Sequence, residues 1–323
     1  MTEIPIRPDA LEKLEAQFEP LAPWMHCFKF HDSAYVGYYK IQGRNLNETY
    51  CHRASDAGRI DLLRTAYQKS NIAYPRRWFA SLCDHLELSD LSQSSLLDIS
   101  SATGEKSFWF AKLGFGKVVS TEIRRNQHLQ HQAILDSTSD QDYSRITAVH
   151  DAVSADHPDF PERYEKFDVV CSFGLLYHLS NPYQHILNLY QLSKRYVLLE
   201  TFTHQDHNAM DYWAFLPEDQ SVITKAISSI SWRPHYLAVR KIARLAGFRR
   251  VEILYPDCFS VNFPDFESGD FPRNERCREG LLRKLGVKTD YHCRMSAFRK
   301  NYDPTYYEPT GMNPNYFYYI LEK

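Results

Sequence analysis

The sequence predicts an α/β fold built on an open, mostly parallel sheet, and three stretches carry that prediction. First, an apolar strand, Leu96-Leu97-Asp98-Ile99, runs into a loop of small residues, Ser100-Ser101-Ala102-Thr103-Gly104. A helix with an aromatic and aliphatic face follows (Phe108-Trp109-Phe110-Ala111-Lys112-Leu113), and then a second apolar strand that ends on Glu122. This is one turn of a nucleotide-binding βαβ unit: small loop residues let the backbone approach a ligand, and the helix N-terminus offers free N–H groups. Second, Phe167-Asp168-Val169-Val170-Cys171-Ser172-Phe173 reads as another buried strand, followed by a turn at Gly174. Third, the final run, Tyr316-Phe317-Tyr318-Tyr319-Ile320-Leu321-Glu322, reads as a late strand joining the same sheet.

The first unit lacks the glycine fingerprint of a dinucleotide site. It has an acid just before the loop, Asp98, and a second acid 24 residues on, Glu122. Asp98, the small loop and Glu122 together resemble the class I S-adenosylmethionine (SAM) methyltransferases. That family shows an acid followed by Gly at every second position. Here those positions are Ser100, Ala102 and Gly104, with Ser101 between the first two. Ser and Ala permit close approach provided φ stays negative. The resemblance implies a Rossmann-like seven-stranded core with sheet order 3-2-1-4-5-7-6. It covers residues 90–255 and resumes at the C-terminus.

Taken in order, residues 1–90 read as an N-terminal helical and aromatic cap. Within it, residues 8–18 read as a short amphipathic helix and residues 24–43 as strand-like or loop with aromatic insertions. Residues 55–67 form a helix that Ser55 caps, and Pro75 starts another that leads into the core. Residues 91–255 make the SAM-binding core. Its fifth strand is Tyr196-Val197-Leu198-Leu199-Glu200-Thr201, and its last helix runs from Trp232-Arg233-Pro234 to the Ala246-Gly247-Phe248 turn. Its sixth strand is Arg250-Val251-Glu252-Ile253-Leu254. Residues 256–315 form an insertion, and residues 316–323 supply the last, antiparallel strand. A parallel strand ends at the carboxyl edge, where ligands bind in open α/β sheets, so the insertion leaves from the active-site side. The cap and the insertion are expected to roof the substrate site and exclude water.

The resemblance places Asp98 near the methionine amino group and Glu122 on the ribose hydroxyls. Asp151 falls where the family often places an acid near the adenine amine; a helix cap is the competing reading. Phe173, Gly174 and Leu176, after the fourth strand, are expected to contact the cofactor. Tyr177 and His178 are expected to open the next helix and to carry catalysis, by orienting an acceptor or taking its proton. The pattern Tyr-His-x-x-x-Pro, ending at Pro182, resembles the tRNA wobble-uridine carboxymethyltransferase group. In that group the Tyr faces the sulfonium. Tyr38, Tyr39, Asn181 and Trp213 are expected on the substrate, the aromatics because a sulfonium gains from ring faces as an ammonium does. Ordinary packing is the stronger explanation for any one of these aromatics.

Composition narrows the partners. The net charge of −2 draws the chain to neither nucleic acid nor membrane, and no apolar run approaches 18 residues. The N-terminus does not read as a signal peptide, and seven scattered cysteines without a Cys-x-x-Cys pair suit a reducing cytoplasm. His204 and His207 lack further ligands at helix spacing, so no metal is expected. The basic stretch 273–300 reads as a solvated face rather than an RNA site. The expected function is SAM-dependent methyl transfer to a small-molecule acceptor in an enclosed aromatic pocket. Three alternatives remain open: use of the aminocarboxypropyl arm of SAM (as in closure to azetidine-2-carboxylate with release of methylthioadenosine), tRNA (carboxy)methylation, and non-enzymatic SAM binding.

Overall fold

A computed structural model describes residues 4–7, 10, 18–21, 28–31, 34–36, 39–41, 44–46, 86–203, 213–217, 230–254 and 316–323. Seven strands form one sheet: β1 (Ser95–Ile99), β2 (Lys117–Glu122), β3 (Ile146–His150), β4 (Phe167–Phe173), β5 (Ser193–Phe202), β6 (Arg250–Leu254) and β7 (Tyr316–Glu322). They lie in the order β3-β2-β1-β4-β5-β7-β6, the order expected from the sequence. The first five strands are parallel, and β7 runs antiparallel between β5 and β6. Apolar runs without alternation, such as Leu96-Leu97, arise because both faces of a parallel sheet are covered.

Four helices cover those faces: α1 (Glu105–Leu113), α2 (Arg125–Ser137), α3 (Pro182–Leu192) and α4 (Tyr236–Leu245). Strand alternation divides the core in two. On one face Leu96, Val169, Cys171, Phe173, Tyr196, Leu198, Tyr318 and Ile320 pack with Phe108, Trp109 and Phe110 of α1 and Ile134 of α2. On the other, Leu97, Ile99, Val170, Val197, Leu199 and Leu321 pack with Ile186 and Leu189 of α3 and Val239 and Ala243 of α4. Each such side chain contributes about 1.5–3 kcal/mol when removed from water. Gly114, at φ 108°, ends α1 in the left-handed conformation that glycine adopts without penalty.

The N-terminal segment packs on the α1/α2 face. Ile4, Phe18 and Phe28 are buried in that core, and Phe28 meets Phe108 edge-on at 6.0 Å. Ile6 bridges Thr138, just past the end of α2, while Asn126 Nδ2 near its start donates to the Leu21 carbonyl at 2.9 Å. The segment therefore climbs α2 from the amino edge of the sheet to the carboxyl edge. Two antiparallel ribbons follow, Phe28–His31 with Ala34–Val36 and Tyr39–Ile41 with Arg44–Leu46, in agreement with the strand-like reading of residues 24–43. The helices expected at 55–67 and from Pro75, the insertion 256–315, the basic stretch 273–300, and His204 and His207 lie outside the described residues.

Two local expectations are corrected. Trp232-Arg233-Pro234 does not open the last helix; it belongs to a strand, Ile230–Pro234, paired with Trp213–Pro217. Its Trp232 indole donates to the Leu179 carbonyl at 2.7 Å, which seats the hairpin on the turn after β4. Tyr177 and His178 do not open α3 either. They sit in a single 3-10 turn, Leu176–His178, and α3 begins at Pro182, whose fixed φ suits the first helical position.

Candidate functional site

The carboxyl ends of β1, β2, β4 and β5 converge on the loop between β1 and α1. That loop is held by backbone bonds: Ser101 N–H to the Thr121 carbonyl at 2.9 Å, and Gly104 N–H to the Ser101 carbonyl at 2.8 Å. Its path needs a left-handed residue at every second position. Ser100 lies at φ 60°, Ala102 at 52° and Gly104 at 81°. The condition set for close approach, negative φ at Ser100 and Ala102, is not met: the loop keeps the backbone that glycine would adopt and carries the strain of two Cβ atoms in it.

Asp98, 1% exposed, lies one residue before the end of β1 on the α1 face and accepts a hydrogen bond from the Ser107 hydroxyl at 2.6 Å. Burial pushes its carboxyl up to about 6, against the opposing pull of Ser107 and the Lys106 ammonium. Glu122, 2% exposed, ends β2 and takes the Ala102 N–H on Oε2 at 2.8 Å. Its other oxygen accepts from the Arg124 backbone N–H and Nε, both at 2.8 Å. Glu122 thus ties the loop to β2, and a ribose would share or displace the Arg124 contact. Asp151 follows β3 and is not a helix cap. Its carboxylate accepts from the Val153 N–H, Arg163 Nε and the Tyr164 hydroxyl. Burial opposes its charge, but these donors hold it below the usual carboxylate range.

The loop after β4 completes the edge. Gly174, at φ 68°, donates its N–H to the Glu200 carbonyl at 3.2 Å. Phe173 and Leu176 are buried. The Tyr177 ring lies 4.1 Å from that of His178 and 6.2 Å from that of Phe202. Asn181 caps α3, its side-chain oxygen accepting from the Gln184 N–H at 3.1 Å. Trp213 and Tyr39 lie in the short ribbons, and Tyr38 lies outside the described residues.

Several residues of the edge escaped the sequence reading. Glu200, on β5, is 2% exposed, and its Oε2 has no hydrogen-bond partner among the described residues. Burial pushes its carboxyl up to about 7, and that of Glu105 at the start of α1 likewise to about 7. Lys106 extends over the Phe173 ring, its Nζ 5.9 Å from the centroid. The signal for Glu200 was in the sequence: it is an acid near the carboxyl end of an apolar strand, as Asp98 and Glu122 are. Nothing local marked Arg124, or His131, which packs beneath Gly104.

The donor groups fit an adenosyl cofactor. A glycine backbone path and acids near the carboxyl ends of β1 and β2 lie at one edge, where two buried polar atoms, Ser101 Oγ and Glu200 Oε2, have no hydrogen-bond partner among the described residues. Groups of three or more His, Cys, Asp or Glu able to hold a metal do not occur among the described residues.

Comparison with known proteins agrees with this geometry. A search of curated proteins returns no matching sequence. Among solved structures, the N-terminal domain of EvdMO1 with S-adenosylhomocysteine (SAH) bound aligns with a TM-score of 0.53 at 15% identity, covering 76% of this chain and 90% of that one. The same domain in the presence of SAH and D-fucose aligns at 0.53 and 14%, covering 77% and 91%. A methyltransferase structure from Bacillus halodurans C-125 aligns at 0.44 and 17%, covering 76% and 97%. A family model described as "Methyltransferase domain" matches residues 69–251. SAM is the cofactor of that family, and with more than half of its length matched and the sheet order in place, the chain belongs to the class I SAM-dependent methyltransferases.

Proposed function

We propose that the chain methylates a small-molecule acceptor held at the carboxyl edge of its sheet. The observation that carries this reading is the left-handed loop Ser100–Ala102–Gly104 clamped between the acids of β1 and β2. The cofactor supplies a methyl group activated on a positively charged sulfur. The residues of the chain bind and orient. Glu122 offers acceptor oxygens to ribose hydroxyls, and Asp98 offers one to an ammonium. The Trp213–Pro217 and Ile230–Pro234 hairpin, seated on the turn that carries Tyr177 and His178, keeps water from that side of the edge. Methyl transfer then relies on proximity and a dry site. Membership of the methyltransferase family favours this reading over reaction of the aminocarboxypropyl arm.

Two measurements test it. SAH should bind the pure chain in calorimetry, and Glu122→Ala should weaken that binding by about 1–3 kcal/mol through loss of a charged acceptor. Unchanged affinity removes the ribose assignment. Mass spectrometry of SAM incubated with the chain and a small-molecule extract should show SAH. Release of methylthioadenosine without any acceptor would replace methyl transfer by chemistry on the other arm.

A further inference from the structure

The ribose assignment depends on Glu122, and its carboxylate is already full. A carboxylate offers about four acceptor positions, two on each oxygen. Oε1 accepts from the Arg124 backbone N–H and from Arg124 Nε, both at 2.8 Å. Oε2 accepts from the Ala102 N–H at 2.8 Å and from Arg124 Nη2 at 3.1 Å. A vicinal diol therefore reaches both oxygens only if two of these donors leave.

The donors differ in what holds them. The Ala102 N–H belongs to the loop that the Ser101 N–H pins to the Thr121 carbonyl. The Arg124 N–H belongs to the residue whose carbonyl takes the His128 N–H at 3.1 Å, where α2 begins. Moving either one distorts the loop or frays the helix. The two guanidinium donors are released by a side-chain rotation alone. The Arg124 side chain makes no capping bond to α2 and is 24% exposed, whereas Glu122 is 2% exposed. Its fork gives one N–H to each carboxylate oxygen, as the two hydroxyls of a ribose would. It also neutralises a buried carboxylate, which is costly to leave unpaired.

We propose that the Arg124 guanidinium occupies the seat of the ribose diol on Glu122 and is displaced when SAM or SAH binds, so that Arg124 is an autoinhibitory gate on the donor site. This rests on the ribose assignment above and deepens it. The exchange is bond for bond: two N–H donors leave the carboxylate, two O–H donors replace them, and no proton is transferred. Because the guanidinium is partly solvated, its departure takes back only part of what the two hydroxyls contribute. Donor and spent cofactor thus bind against a competitor tethered two residues along the chain. The returning guanidinium favours release of SAH and keeps the buried charge paired between turnovers.

Calorimetry of SAH binding to the full chain tests this without any acceptor. SAH is the probe because its sulfur is uncharged, so the loss of one arginine charge has little direct effect on it. Arg124→Ala keeps the backbone N–H and removes the fork, and the Kd of SAH should fall about tenfold. Arg124→Lys, with an ammonium in place of the fork, should fall between that variant and wild type. In a Glu122→Gln background Arg124→Ala should change nothing, because the charge-assisted pair is already gone. Unchanged or weaker SAH binding in Arg124→Ala alone overturns the gate, and weaker binding makes Arg124 a ligand contact instead. The wild type supplies a check that needs no folded Ala variant. By NMR, the Arg124 Nε–H should exchange slowly with solvent in the free chain and fast in the SAH complex; slow exchange in both overturns the gate. Unchanged SAH affinity in Glu122→Ala defeats the ribose assignment itself, and the gate with it, a result distinct from the others.

Discussion

Replacing Gly104 by Ala tests the donor loop at its tightest point. Gly104 sits at φ 81° as the N-cap of α1, and a Cβ there would overlap three atoms of the His131 imidazole. The ring cannot swing away. It is 1% exposed, packed edge-on against Phe108 at 5.2 Å and placed with Nδ1 3.3 Å from the Ser120 hydroxyl. Burial, and then the neighbouring His128, push its pKa down to about 3, so it is a neutral ring wedged in the core. Two costs add. A left-handed Ala costs about 1–2 kcal/mol. Overpacking against a fixed ring costs about 1–3 kcal/mol. Gly104→Ala should therefore lose about 2–5 kcal/mol of stability. Urea unfolding followed by far-UV circular dichroism measures it, and a cycle with His131→Ala divides the two costs. The double variant should recover the overpacking share, a coupling of about 1–3 kcal/mol, and leave the backbone share in place. A Gly104→Ala protein within about 0.5 kcal/mol of wild type, or a strictly additive cycle, would refute the packing argument.

Two further outcomes follow from the same edge. Ala102→Gly should stabilise the chain by roughly 1 kcal/mol, because glycine removes the left-handed strain at φ 52° and gives back part of the gain in unfolded-state entropy; a lower urea midpoint would mean that the Ala102 methyl contributes packing that outweighs the strain. Glu200→Gln should leave stability little changed near pH 4 and raise it above pH 7. The folded pKa of Glu200, about 7, exceeds its ordinary 4.5, so the stability it contributes is full below 4.5 and lost as pH rises through 7. The full difference is at most about 3 kcal/mol, read as the gap between the two stability–pH curves, and parallel curves would show that Glu200 is not held protonated.

The sequence by itself determined the core strands, and its resemblance to the methyltransferase family implied their order. The runs at residues 95–99, 117–122 and 167–173 read as strands covered on both faces, and the resemblance placed the aromatic strand at 316–322 between the fifth and the sixth. The same runs placed the two donor acids, since the residue that ends a parallel strand stands at the ligand edge. What the tertiary structure decided lies in contacts between residues distant in sequence. The φ angles of Ser100 and Ala102 are set by Thr121 and by the carboxylate of Glu122, which hold the loop from the next strand. The sequence offered Asn181 as a substrate contact or simply the residue before Pro182; the structure shows its side chain capping α3. Trp232 was assigned to a helix because local propensity cannot register that its indole reaches the Leu179 carbonyl, 53 residues away. Glu200 was visible as an acid within a strand, but its surroundings were not. That its Oε2 has no hydrogen-bond partner among the described residues is decided by what packs around it, including its cross-strand neighbours Phe173 of β4 and Tyr318 of β7.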